Sequence, residues 1–410
     1  MDTTQNPSSE TPRPFNIVVC CNGTGNQVER DSSNVLKLFR IVHQDDDQRV
    51  FYDQGVGTIG FSSSWAPWRQ KALEVLGLAT AWGLDENILE AYRFVCTHYR
   101  PEARLYLFGF SRGAYTVRAL AGLIHHVGLL HPDQLNLAGA ALTAFKRGSE
   151  GALEEGWGFR RMARARPAPI HFLGCWDTVA SVIVPWRYGP FPGLRQLPYT
   201  RTNPSVRHFR HAMAIDERRR MFRLNGWVEP QQHLPRPLAP PEERVPQDIK
   251  QVWFAGVHSD IGGGYREAES GLAKLPLAWM IDEATACGLR VRDGRRRALV
   301  DGRGSASAAG RYVAPDPSAD QHDSLTWGWW PLEVIPKWAG LREWVDRRVV
   351  LGCYLPMAEP RFINPVASGS LGARLHRSVV ERMKGRRDYR PINLPSTDPA
   401  NLQSLFIIEP

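Results

Sequence analysis

The chain has 410 residues, 43% hydrophobic and 23% charged, with a net charge of +9 drawn from 44 Arg and 7 Lys against 42 acidic residues. This composition excludes long disorder, collagen-like and coiled-coil architectures. The arginines are scattered and form neither the basic stripe nor the reader motif of a nucleic-acid-binding protein, so no nucleic-acid partner is expected. Six cysteines without a C-x-x-C pair, several inside apolar runs, fit buried free thiols better than a disulfide frame or a metal site. Residues 1–14 are polar and Pro/Ser-rich and read as a flexible tail without a secretory leader. The longest apolar stretch, 105–130, is broken by Arg112, Arg118, His125 and His126, so no membrane span is expected.

In chain order, Phe15 to Cys21 is a continuous apolar run ending in Asn22-Gly23-Thr24-Gly25-Asn26. That pattern predicts a strand covered on both faces and followed by a loop. Arg49 to Asp53 is a second strand candidate. Asp85 is placed to cap a helix in which Ile88, Leu89, Tyr92, Val95, Cys96 and Tyr99 recur at helical spacing. Arg104 to Phe110 is a buried strand, and Ala114, Val117, Leu120, Ala121, Ile124 and Val127 mark one face of the helix after it. Ile170 to Trp176 and Val252 to Val257 are further strands, each running into a polar loop. Strand, loop and helix in repetition imply a mostly parallel central sheet with helices on both faces. The expectation is one elaborated α/β domain over residues 15–400, with irregular insertions near 185–204, 229–247 and 295–345.

Gly109-Phe110-Ser111-Arg112-Gly113 is a G-x-S-x-G pentapeptide lying between a predicted strand and a predicted helix. At this composition the spacing arises by chance roughly 0.2 times per chain, so the flanking elements give it weight. A strained strand-to-helix turn would lift Ser111 clear of the sheet at a helix N-terminus, which favours developing negative charge. A serine hydroxyl needs a histidine to take its proton and a carboxylate to orient that histidine. Asp177, after the strand ending at Trp176, and His258, after the strand ending at Val257, supply these in the order Ser, acid, His. Asp260 is the second choice for the acid. The oxyanion hole would combine the backbone N–H of Arg112 with the loop holding Gly23 and Thr24. No cofactor is required by this chemistry.

Other features compete. Gly55-Val56-Gly57-Thr58-Ile59-Gly60 matches G-x-G-x-x-G, which would suggest a dinucleotide-binding oxidoreductase. No amphipathic helix opens after it, however, and no acidic residue ends a strand about 20 residues later. Leu325 to Trp344 carries five tryptophans and reads either as a lid or lipid-facing surface or as the aromatic contact of a peripheral helix. His211 and His376 sit in helix-like settings and read as structural, with His376 the competing base. A catalytically silent α/β module that binds a lipid surface or a protein partner is the alternative to a hydrolase.

Several of these segments together resemble a known family. They are the loop at 22–26, Asp53-Gln54-Gly55-Val56-Gly57-Thr58, residues 109–124, 175–181, 210–219 and 257–265, and Tyr389 to Pro395. The sequence is similar to the uncharacterised α/β-hydrolase domain family that includes the family-one lipase effectors of bacterial type VI secretion. That resemblance implies an α/β-hydrolase fold and a Ser-Asp-His hydrolase with Ser111, Asp177 and His258 as the triad. In the effector branch it implies a phospholipase A acting on phospholipid at a membrane surface, with secretion-apparatus and immunity proteins as partners. Both cytoplasmic residence and contact-dependent export without a Sec-type leader are compatible with it. Asn22 departs from the Asp usual in the family; the backbone donors of the loop would survive that change, whereas a role needing a carboxylate would not.

Overall fold

The computed structural model describes residues 14–23, 32–55, 81–148, 153–179, 183–184, 193–194, 197–236, 239–303, 312–341, 343–344, 346–364 and 372–410. Eight strands make one sheet: β1 (Asn16–Cys21), β2 (Gln48–Asp53), β3 (Arg104–Phe110), β4 (Ile170–Trp176), β5 (Val206–Ala214), β6 (Asp248–Phe254), β7 (Arg374–His376) and β8 (Ile407–Glu409). Their order is β8-β7-β6-β5-β4-β3-β1-β2, and every neighbouring pair is parallel.

Such a sheet must be covered on both faces, and side-chain alternation along β1 shows how. Ile17, Val19 and Cys21 enter a core shared with the helices α2 (Ala81–His98), α3 (Arg112–His126) and α4 (Ala138–Arg147). Val18 and Cys20 point the other way, into a core shared with α1 (Asn34–Ile41), α7 (Gly271–Ala286) and α8 (Asp293–Leu299). A third cluster, around Leu375, Val379, Met383 and Leu402, packs α9 (Arg377–Gly385) and α10 (Pro399–Leu405) at the β7–β8 edge. Two further helices complete the labelled set, α5 (Leu153–Met162) and the single-turn α6 (His258–Gly262). The α/β class, the parallel sheet and the two-sided helical cover are those read from the sequence.

Four local expectations change. Asp85 does not cap α2, which starts at Ala81; its carboxylate instead pairs with Lys146 on α4 at 2.7 Å. The strand expected over 252–257 is β6, over Asp248–Phe254, so the residues before His258 form a turn. His211 lies on β5, a central strand, and not in a helix-like setting. Part of the irregular stretch expected from 295 is the end of α8, which packs on α1.

The chain runs from β1 outward to β2, then back across to β3 on the other side of β1. Where neighbouring strands send their connections in opposite directions, a crevice opens at their carboxyl ends. Asn22 and Gly23 follow β1, and Ser111 follows β3.

Candidate active site

The turn at Ser111 is tight because of two glycines. A Cβ on Gly109 would fall 2.4 Å from the carbonyl oxygen of Gly113, and one on Gly113 would fall 2.1 Å from that of Cys21. With no side chain at either position, the first turn of α3 sits directly on the end of β1. Ser111 itself takes φ 57° and ψ −119°, a left-handed backbone that costs an ordinary residue on the order of 1–3 kcal/mol. Its amide donates to Trp176 O at 3.1 Å, which ties the turn to the end of β4. Gly23 lies close against it, since a Cβ there would be 3.2 Å from Ser111 Cβ.

Asp177 is the next residue after β4. It is fully buried, has φ 39°, and both its oxygens are saturated. Oδ1 accepts from Ala214 N at 2.9 Å and Arg361 Nη1 at 2.6 Å; Oδ2 meets His258 Nδ1 at 2.5 Å and accepts from Arg361 Nη2 at 3.0 Å. Burial alone would raise this carboxyl group's pKa. The Arg361 charge and the His258 contact outweigh it and hold the group well below the usual carboxylate range.

His258 opens α6. Gly262, one turn on, lets α6 press onto the end of β3, for a Cβ there would lie 1.9 Å from the Phe110 ring. The imidazole is consequently flanked by Phe110 at 4.7 Å and Phe222 at 4.8 Å between ring centroids. Burial pushes its pKa below 6.5 against the opposing pull of Asp177. Its backbone N–H donates to Glu217 Oε2 at 3.2 Å, and Glu217 is itself bound by Arg219.

His258 and Asp177 are therefore in direct contact, with Ser111 one residue beyond the Phe110 ring that packs on His258. Among the described residues no hydrogen bond joins Ser111 Oγ to His258. Asp260 bonds His322 at 2.7 Å, whereas the carboxylate on His258 Nδ1 is that of Asp177. His376 caps the N-terminus of α9, bonding Ser378 Oγ at 2.7 Å, and stacks on Phe254. Arg112 is partly buried, and that burial pushes its pKa down to about 10. Gly23 N–H donates to Asn22 Oδ1 at 2.9 Å within its own loop, and Asn22 Nδ2 reaches Tyr52 Oη at 3.1 Å. Thr24 and the rest of that loop, like Gly57 and Gly60 of the dinucleotide-like motif, lie outside the described residues.

Arg361 is the site residue that sequence reasoning missed. It is one of many arginines, in a Pro-containing stretch without a motif, and only the fold carries it under Asp177. The Trp-rich segment also reaches the site. Trp329 packs edge-on against Phe222 at 5.5 Å, and Arg219 lies over the Phe222 ring at 3.6 Å. Two fully buried glutamates fix this arm to the loop after β5: Glu333 accepts from Arg220 N at 2.6 Å and Glu359 pairs with Arg223 at 3.0 Å. Around these anchors Trp327, Trp338, Val350, Leu351 and Phe362 are exposed.

A family model described as "T6SS, Phospholipase effector Tle1-like, catalytic domain" matches residues 16–283. An uncharacterized protein of Saccharomyces cerevisiae, YEL023C, is 30% identical over 254 residues, covering 54% of this chain and 34% of the relative. Among solved structures, an uncharacterized protein from Pseudomonas aeruginosa aligns with a TM-score of 0.35 at 20% identity, covering 68% of this chain and 46% of that one. A Tle1 effector bound to the VgrG spike of the type VI secretion system aligns with a TM-score of 0.33 at 19% identity, covering 66% and 57%. The chain thus spans about a third of the yeast relative and about half of each solved one.

Proposed function

Because the chain belongs to the Tle1-like phospholipase effector family of the type VI secretion system, over its catalytic domain, we propose that it is a serine carboxylic-ester hydrolase acting on phospholipid acyl esters as a phospholipase A. The observation that carries this reading is the 2.5 Å contact between a fully buried Asp177 and His258, packed beside a strained serine turn at the sheet's switch point. His258 Nε2 takes the Ser111 proton as Ser111 Oγ attacks the acyl carbonyl carbon. Asp177 keeps the Nδ1 proton in place and stabilises the imidazolium that forms. Negative charge on the carbonyl oxygen is met by the Arg112 N–H, with Gly23 packed beside Ser111. His258 then returns the proton to the departing alcohol, leaving an acyl-Ser111. Water, deprotonated by the same imidazole, releases the fatty acid and restores Ser111.

The substrate lies in a bilayer, and the exposed Trp327, Trp338 and Leu351 on the arm beside His258 give the chain an apolar surface to set against it. Among the described residues no helix is long and apolar enough to cross a membrane. Family membership further supports contact-dependent secretion and a secretion-apparatus partner, since a Tle1 effector binds the VgrG spike.

The test is hydrolysis of phospholipid vesicles with product analysis by mass spectrometry, for wild type and Ser111→Ala. The variant should lose on the order of 10⁴-fold or more in kcat and should not be labelled by a fluorophosphonate probe. Undiminished turnover by Ser111→Ala would reject the assignment.

A further inference from the structure

Three carboxylates near His258 have basic partners. Asp177 has Arg361, Glu217 has Arg219 at 2.8 Å, and Asp260 has His322 at 2.7 Å. The first pair differs from the others in depth and geometry. Asp177 is fully buried and Arg361 is 1% exposed, and the guanidinium places one nitrogen on each carboxylate oxygen, at 2.6 and 3.0 Å. A planar fork matched to a carboxylate fixes orientation as well as charge. The same group donates to Ala214 O at 3.1 Å and to Phe222 O at 2.6 Å. It therefore holds the acid, the end of β5 and the residue whose ring walls one side of the imidazole. Arg361 also lies beyond residues 16–283, the segment that the family model matches.

Two effects follow. With both oxygens clamped, Asp177 has one direction left in which Oδ2 meets His258 Nδ1, so the imidazole is oriented through its acid. Charge is the second effect. An unpaired buried carboxylate would hold the imidazolium so firmly that the base stayed protonated, and a guanidinium on the same carboxylate offsets that pull. We propose that Arg361 is a positioning residue of the hydrolase, clamping Asp177 in the rotamer that meets His258 and balancing its charge so that the imidazole stands ready to accept the Ser111 proton. This inference rests on the serine-hydrolase reading above.

The experiment uses the full chain and a fluorophosphonate probe, whose second-order rate of labelling reports the nucleophilicity of Ser111 without a lipid. Rates are measured from about pH 5 to 9 for wild type, Arg361→Lys and Arg361→Met, with near-UV circular dichroism confirming the fold. Arg361→Lys keeps the charge and loses the fork, so its plateau rate should fall roughly tenfold or more while the acid limb stays within a few tenths of a pH unit. Arg361→Met loses both; its plateau should fall further and its acid limb should move up by about one pH unit, as the unbalanced carboxylate makes His258 more basic. If Arg361→Met does not fold, the Lys variant decides. Wild-type plateau and limb in folded Arg361 variants, with wild-type Ser111 labelled normally, would overturn this inference alone. A folded wild-type chain that never labels at Ser111 would overturn the hydrolase reading and this inference with it.

Discussion

Replacing Gly113 by Ala tests how the Ser111 turn is held. The added methyl would sit 2.1 Å from Cys21 O and 2.5 Å from Asn22 O, both main-chain atoms at the end of a central strand. Reaching ordinary contact near 3.4 Å requires a separation of roughly 1.3 Å between α3 and β1, because neither oxygen belongs to a side chain that can swing aside. Overpacking of this kind costs about 1–3 kcal/mol, and a displacement near 1 Å at a reacting group can cost about 10²-fold in rate. Gly139 supplies the control: it lies in the first turn of α4 with nothing within 4 Å of its would-be Cβ. Gly139→Ala should raise stability by about 0.5 kcal/mol, since Ala suits a helix better than Gly. The two variants should therefore move the denaturation midpoint in opposite directions, with esterase activity reduced only in Gly113→Ala. Wild-type midpoint and rate for Gly113→Ala would refute the account of the turn.

Asp177→Asn should lose about 10⁴-fold in kcat and also about 3–5 kcal/mol of stability, because it leaves Arg361 buried without its counter-charge. Combining Asp177→Asn with Arg361→Met should recover most of that stability and none of the activity, which a double-mutant cycle by denaturant unfolding reads directly. The Asp260 contact raises the His322 pKa above 6.5 in the folded chain. Its stabilising effect is fully present below pH 6.5 and is lost as pH climbs through the raised value, so His322→Gln should flatten the pH dependence of the melting temperature across that window. Trp327→Ser and Leu351→Ser, at 90% and 96% exposed positions, should reduce vesicle hydrolysis several-fold more than hydrolysis of a soluble short-chain ester; equal losses would argue against the apolar surface as the membrane contact.

Sequence reading succeeds where a strand is apolar on both faces. The spans of β3 and β4 are legible to the residue, and β1 differs only by Phe15, because burial on both sides demands an uninterrupted apolar run. It fails at β5, Val-Arg-His-Phe-Arg-His-Ala-Met-Ala, which is central yet carries Arg210 and His211. Those groups are tolerated because the fold supplies partners: Glu283 and Asp248 for Arg210, and Arg118 with the Thr178 amide for His211. No local pattern announces partners that distant. Within the site, Ser111 is marked by its glycines, and Asp177 and His258 by their places after strands. Arg361 has no such mark, and 184 residues separate it from the carboxylate it grips. That Asp177 contacts His258 while Asp260 contacts His322 is likewise a tertiary matter, which no local pattern announces.

The clamp on Asp177 also makes a late stretch of the chain answer for an early one. A chain cut before residue 361 would still carry Ser111, Asp177 and His258, yet its buried carboxylate would face the interior without the two nitrogens that hold it.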